Sequence, residues 1–260
     1  MFKNAPRNQG YELAPPPYEA DSSRRLSYED EENTGHDMIK ETVANSSVEI
    51  RMLCHVEFVR KVYSILCTQI LGTAILSTVY ITSENTKIWV QTNPWMLFLS
   101  MFGSVFVLLA LMWKARSTPL NYYLLALFTL LESHMVGTIV TFYDQRIVVQ
   151  ALLITFGVFC VLTLFTFQSK WDFSGMGPIL FAGVFILLVA GLVLPFSEGT
   201  ELPLAIGGVV VFSGYIIFDT YLIFNRFSPE DYIMASTSLY LDMINLFLRV
   251  LQILNASSRD

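Results

Sequence analysis

Seven apolar runs, each about as long as a membrane-crossing helix, fill the chain at 59–81, 95–113, 120–142, 147–167, 178–196, 203–224 and 234–254. A bilayer core of roughly 30 Å asks for ~20 apolar residues per helical crossing. Composition alone would not decide the class, because 53% hydrophobic residues is close to what soluble domains carry. Distribution decides it: charges crowd into the first 48 residues, and short polar breaks separate the runs. The expected fold is an all-α membrane protein of seven transmembrane helices over residues 49–260, preceded by a tail over 1–48. Proline marks the starts at Pro94, Pro119, Pro178, Pro203 and Pro229, where a missing N–H costs a first helical turn nothing. Ser228 with Glu230 and Asp231 adds an N-cap hydroxyl and first-turn carboxylates before the last run.

The tail holds five Lys/Arg against nine Asp/Glu, is rich in Pro, Ser and Asn, and reads as a disordered acidic segment. It has no apolar core of a cleavable signal peptide. Pro15, Pro16, Pro17 and Tyr18 form a PPxY pattern, the kind of polyproline segment that WW domains take up, such as those of ubiquitin ligases. Arg24-Arg25-Leu26-Ser27 resembles a basophilic kinase site, with Ser27 the acceptor and an acidic run beside it. Nothing in the chain is basic enough for nucleic acid. Cys54, Cys67 and Cys160, odd in number and irregularly spaced, argue against a disulfide framework or zinc site and read as small buried hydrophobes.

Lys/Arg in short loops set the orientation. With the tail in the cytosol, that side receives Arg60, Lys61, Lys114, Arg116, Lys170 and Arg226, against Lys87 and Arg146 opposite. The expectation is a cytosolic N-terminus.

Ionisable residues inside the runs carry the functional reading. In the last run, Asp242, Asn245 and Arg249 stand at i, i+3 and i+7, on one helical face. A charge facing lipid costs roughly 2.5–3.5 kcal/mol, so this face is expected to be enclosed by other helices. Asp219 lies six residues before Asn225 and Asp242 eight after Met234, which at ~1.5 Å per residue puts both on the order of 10 Å below the cytosolic surface. Two carboxylates in a dry site titrate as a pair, joining helices when they share one proton and pushing them apart when both are charged. Glu132, deeper in its run, is expected to face the same interior as a cation ligand or proton partner. These oxygens suit Ca²⁺, but too few are evident for a permanent cage, so Glu132, Asp219 and Asp242 are expected to meet calcium transiently along a path.

Particular strings then bring in a family. Ser213-Gly214-Tyr215-Ile216-Ile217-Phe218-Asp219-Thr220 and Ser238-Leu239-Tyr240-Leu241-Asp242-Met243-Ile244-Asn245-Leu246-Phe247-Leu248 resemble the signature segments of the Bax inhibitor/lifeguard family. Thr129-Leu130-Leu131-Glu132, Thr141-Phe142-Tyr143-Asp144 and Gln168-Ser169-Lys170-Trp171-Asp172-Phe173-Ser174 point to its lifeguard-4, or Golgi anti-apoptotic, branch. The resemblance spans about 58–254 and implies a central last helix enclosed by two three-helix layers. It also implies a pH-sensitive calcium leak of endomembranes (endoplasmic reticulum, Golgi or vacuole), with Asp219 and Asp242 as latch. Suppression of apoptosis, a link to the unfolded-protein response, and Bcl-2-family or stress-sensor partners come with it. Some relatives pair the latch with an arginine at the cytosolic end of the second span; this chain reads Trp113-Lys114-Ala115-Arg116, so Lys114, Arg116 and Arg249 are the cations on offer. Calcium and protons are expected as permeant and regulating ions, with no bound cofactor.

Two other classes compete. A non-conducting scaffold would regulate cell death and stress signalling through partners. An intramembrane aspartyl protease would use a GxGD motif, but Leu239-Tyr240-Leu241 precedes Asp242 without glycine, so the chain is not expected to be an enzyme.

Overall fold

A computed structural model describes residues 17–193 and 200–258. Among them eight α-helices occur and no strand: α1 (Pro17–Thr82), α2 (Glu84–Thr92), α3 (Pro94–Lys114), α4 (Leu120–Val140), α5 (Gln145–Gln168), α6 (Gly177–Val193), α7 (Glu201–Asn225) and α8 (Tyr232–Ser257). Seven stretches are long and apolar enough to cross a bilayer, the first being Met52–Thr82 within α1 and the last Pro229–Ser257. These are the seven runs of the sequence, and the protein is an all-α, seven-span membrane protein.

The chain divides into two units, residues 1–53 and 54–260. In the first, the backbone is helical from Pro17, where the sequence reads a disordered tail. Pro17 opens the helix at a position that needs no N–H, and from Tyr18 to Thr82 only Gly35 and Gly72 are poor helix formers. Pro15 and Pro16 lie outside the described residues, as do the side chains of Tyr18 and Ser27.

The second unit is the bundle. α3 packs on α4, and α7 packs on both α5 and α6. α1 joins the α3–α4 pair through Gln69 Nε2 donating to Thr129 Oγ1 (3.0 Å) and a 2.8 Å bond between Tyr80 Oη and His134 Nδ1. α8 runs between these two groups of three, against α4, α5 and α7. Its central window is 56% buried, whereas every other span except α4 has at most 17%. Enclosure of the last helix therefore holds.

Outer helices turn apolar side chains outward, among them Phe98, Phe102 and Phe106 of α3. Cys54 and Cys67 are exposed, not buried as the sequence suggested, because they sit on the outward face of α1. The four tryptophans, Trp89, Trp95, Trp113 and Trp171, are all exposed at span ends, where amphipathic rings suit the headgroup region. Lipid is as apolar as leucine, so helix association rests on close packing and polar contacts. Close packing is visible where α6 meets α7: a Cβ on Gly183 would lie 3.0 Å from Val211 Cγ2, and one on Gly214 2.7 Å from Leu180 Cδ2.

The α7–α8 hairpin is fixed at its tip. Asp231 Oδ2 accepts from the Ser228 backbone N–H at 3.3 Å, closing a capping box with the Ser228 hydroxyl. Its Oδ1 accepts from Arg116 Nη2 at 2.8 Å, tying the tip to the end of α3.

Candidate functional site

α7 and α8 run antiparallel from this tip and pack against each other. Asp219 is six residues from the end of α7 and Asp242 ten from the start of α8, about 9 and 15 Å at the helical rise. Both are buried, 8% and 7% exposed, and their carboxyls meet within hydrogen-bonding reach. Oδ2 of Asp242 has no hydrogen-bond partner among the described residues. The structure thus brings together, away from lipid, the two acids that the sequence placed at one depth.

The stripe of α8 continues as expected. Arg249 lies against α7 at Gly208. Asn245, between Asp242 and Arg249, is partly buried and donates from Nδ2 to Leu241 O at 2.9 Å.

Glu132 is elsewhere. It is buried on α4 (5% exposed) with its carboxyl against the Ser104 hydroxyl of α3, and it looks toward Tyr240 of α8. Tyr240 and Asp242 are two residues apart, ~200° around the helix. Glu132 and the acid pair therefore occupy opposite sides of α8, and the expectation of one shared interior is corrected. Among the described residues no three His, Cys, Asp or Glu side chains converge as a metal site, so the three acids do not form a common calcium set.

The cations offered to the pair are also elsewhere. Arg116 bonds Asp231 at the hairpin tip, Lys114 is exposed, and Arg249 Nη1 donates to Gln252 Oε1 at 3.0 Å. Among the described residues no Lys or Arg forms an ion pair with Asp219 or Asp242. The reason is geometric: Arg116 lies beyond the last turn of α3, level with the first turn of α8, not with its middle.

Two polar clusters escaped the sequence reading. On the α1–α4 side of α8, Tyr240 Oη and Ser133 Oγ each lie 2.8 Å from Thr73 Oγ1, all buried. On the other side, the hydroxyls of Tyr63 (α1), Thr163 (α5) and Thr220 (α7) approach one another, yet none meets the geometry of a hydrogen bond. Each lies four residues inward from a residue (Val59, Phe167, Phe224) lining a cavity of about 600 Å³ at the tail side, which His55, Arg60, Ser169 and Asn225 also border. Thr220 is the residue next to Asp219, so this cluster lies near the depth of the acid pair. A Tyr and two Thr on three helices share no local spacing that would have marked them.

Residues 55–259 match the family described as inhibitor of apoptosis-promoting Bax1. The chain belongs to the Bax inhibitor family. Its similarity to Bax inhibitor 1 of Schizosaccharomyces pombe is 44% identity over 86% of this chain and 84% of that protein. Similarity to the Golgi anti-apoptotic protein of vaccinia virus (strain Lister) is 43%, over 90% of this chain and 95% of the viral one. Protein lifeguard 4 of Mus musculus is 44% identical over 90% of this chain and 96% of its own. The Bax inhibitor match takes in the chain from within the first span to the end of the last, with both acids of the pair.

Proposed function

We propose that this Bax inhibitor family protein is a pH-sensitive calcium leak of an endomembrane, with its N-terminus in the cytosol, that lowers store calcium and thereby restrains apoptosis. The reading is carried by one observation, the meeting of Asp219 and Asp242 across the buried α7–α8 contact. Two ionised carboxylates about 4 Å apart repel by on the order of 4 kcal/mol at an effective dielectric of 20. One shared proton turns that repulsion into a hydrogen bond. Tyr240 and Thr73 hold α8 to the α1–α4 group, so the state of the pair acts on the seam between α8 and α7. Acidification draws the seam together; deprotonation loosens it and leaves two carboxylates to receive a divalent cation. The tail-side cavity and the hydroxyls of Tyr63, Thr163 and Thr220 support an approach to the pair from that side.

Calcium flux from proteoliposomes, followed across about pH 5–8, tests this. Wild type leaks more as pH rises. Asp242→Asn, which cannot acquire the second charge, gives a flux independent of pH. A variant with the wild-type profile refutes the latch.

The names of the relatives, Bax inhibitor 1 and Golgi anti-apoptotic protein, speak of cell death, which supports a second reading: a membrane scaffold acting through partners. Acid variants that lose flux yet still protect cells support the scaffold.

A further inference from the structure

Arg249 lies two turns beyond Asp242 on the same face of α8, ~10 Å further from the tail side. Its stem fills a notch that exists because α7 has a glycine there. A Cβ on Gly208 would lie 2.7 Å from Arg249 Cγ and Cδ and 2.9 Å from Nε. The guanidinium is held by Gln252 and borders a cavity of about 370 Å³ on the side away from the tail, which Glu201 and Asn255 also line. Glu201 precedes Gly208 by seven residues, two turns outward on the same face of α7. Between Asp242 and Arg249 on this face stands Asn245, partly buried, its Nδ2 donating to Leu241 O at 2.9 Å.

A cation leaving the acid pair along the α7–α8 seam meets a fixed positive charge before it reaches the cavity. Coulomb repulsion scales with the charge of the ion, so Ca²⁺ feels twice the barrier of Na⁺. We propose that Arg249, seated against Gly208, is the far-side barrier of the cation path, and that its swing out of the notch toward Glu201 opens that end. The inference rests on the leak reading above. A long, flexible stem makes the swing easy, and the carboxylate at the outer position neutralises the charge once it has moved. Arginine at a span end also snorkels with no role in conduction, and the variants below separate the two cases.

Full-length protein in proteoliposomes is assayed for Ca²⁺ and Na⁺ flux at fixed pH. Arg249→Met raises Ca²⁺ flux about tenfold and Na⁺ flux by less, while Arg249→Lys, which keeps the charge, stays near wild type. Gly208→Ala drives the arginine from its notch and raises Ca²⁺ flux on its own, but adds nothing to Arg249→Met. If wild type leaks and Asp242→Asn abolishes its pH response, yet Arg249→Met and Gly208→Ala leave flux unchanged, the barrier is wrong and the latch stands. Flux absent from both wild type and Arg249→Met overturns the path and the barrier together; flux absent from wild type but present in Arg249→Met upholds the barrier. Monodispersity in detergent checks that each variant folds, and Arg249→Lys and Gly208→Ala keep the test decisive if Arg249→Met does not.

Discussion

Removing one hydroxyl from the interior of this bundle should cost more, or less, according to which member of the chain loses it. Thr73 Oγ1 donates to Gln69 O at 2.9 Å and lies 2.8 Å from both Tyr240 Oη and Ser133 Oγ. A hydroxyl has one proton to give and two lone pairs. Thr73 therefore spends its proton on Gln69 and accepts from Tyr240 and Ser133. Tyr240→Phe deletes one bond and leaves no orphan, and the ring keeps its edge-to-face contact with Phe128 at 6.2 Å. Its expected cost is about 0.6–1 kcal/mol, the usual worth of an interhelical bond in a membrane protein. Thr73→Val preserves shape but strands two buried hydroxyls, those of Tyr240 and Ser133. Leaving a buried donor unpaired costs about 1–3 kcal/mol, so Thr73→Val is the worse change. In the double variant the Tyr240 orphan is gone and only that of Ser133 remains, so the total falls short of the sum by about 1 kcal/mol. Reversible unfolding in mixed micelles, run as a double-mutant cycle, measures this. Strict additivity, or a Thr73→Val no costlier than Tyr240→Phe, would refute the donor assignment.

Three smaller expectations follow. Asp172, in the α5–α6 connection, is held at about 2 by hydrogen bonds from the Ser174 side chain, the Tyr221 hydroxyl and the Ser174 backbone. A depressed carboxyl contributes stability above its ordinary value near 3.8 and loses it as pH falls toward 2; Tyr221→Phe moves the titration of Asp172 upward, read by carboxyl NMR, and an unchanged midpoint contradicts it. Arg116→Ala breaks an ion pair whose arginine is 63% exposed. Solvent screens such a pair, so the change should leave the unfolding midpoint nearly where it was and the pH profile of flux alone. A Cβ on Gly137 would lie 3.0 Å from Tyr80 Cδ2. Gly137→Ala should therefore push Tyr80 from His134 and destabilise the α1–α4 contact by about 1–3 kcal/mol, seen as a lower melting temperature in detergent.

What could be read in advance was whatever rests on length, period or a charge in the wrong medium. Seven runs of crossing length became seven spans, with Ser228 and Asp231 capping the last as their order suggested. The polar stripe of α8 predicted its enclosure because lipid would not tolerate Asp242 or Arg249. Depth counted from a shared hairpin placed Asp219 beside Asp242. Depth is silent about azimuth between helices that are not hairpin partners, and so Glu132, at a plausible level, proved to lie across α8 from the pair. The Thr73–Tyr240 bond joins residues 167 positions apart, and Arg116–Asp231 joins residues 115 apart; neither leaves a local pattern. Nor does Gly208 carry a local sign that the side chain facing it is a charged one, Arg249.

Cross-linking tests the acid pair itself. With Cys54, Cys67 and Cys160 replaced, Asp219→Cys/Asp242→Cys offers two thiols where the carboxyls meet, for bridging by a short reversible reagent. The bridge should form in the membrane, stop calcium efflux at every pH, and release it on reduction. Thiols that fail to bridge, or efflux indifferent to the bridge, would mean that α7 and α8 do not meet at these residues or that their seam is not the path.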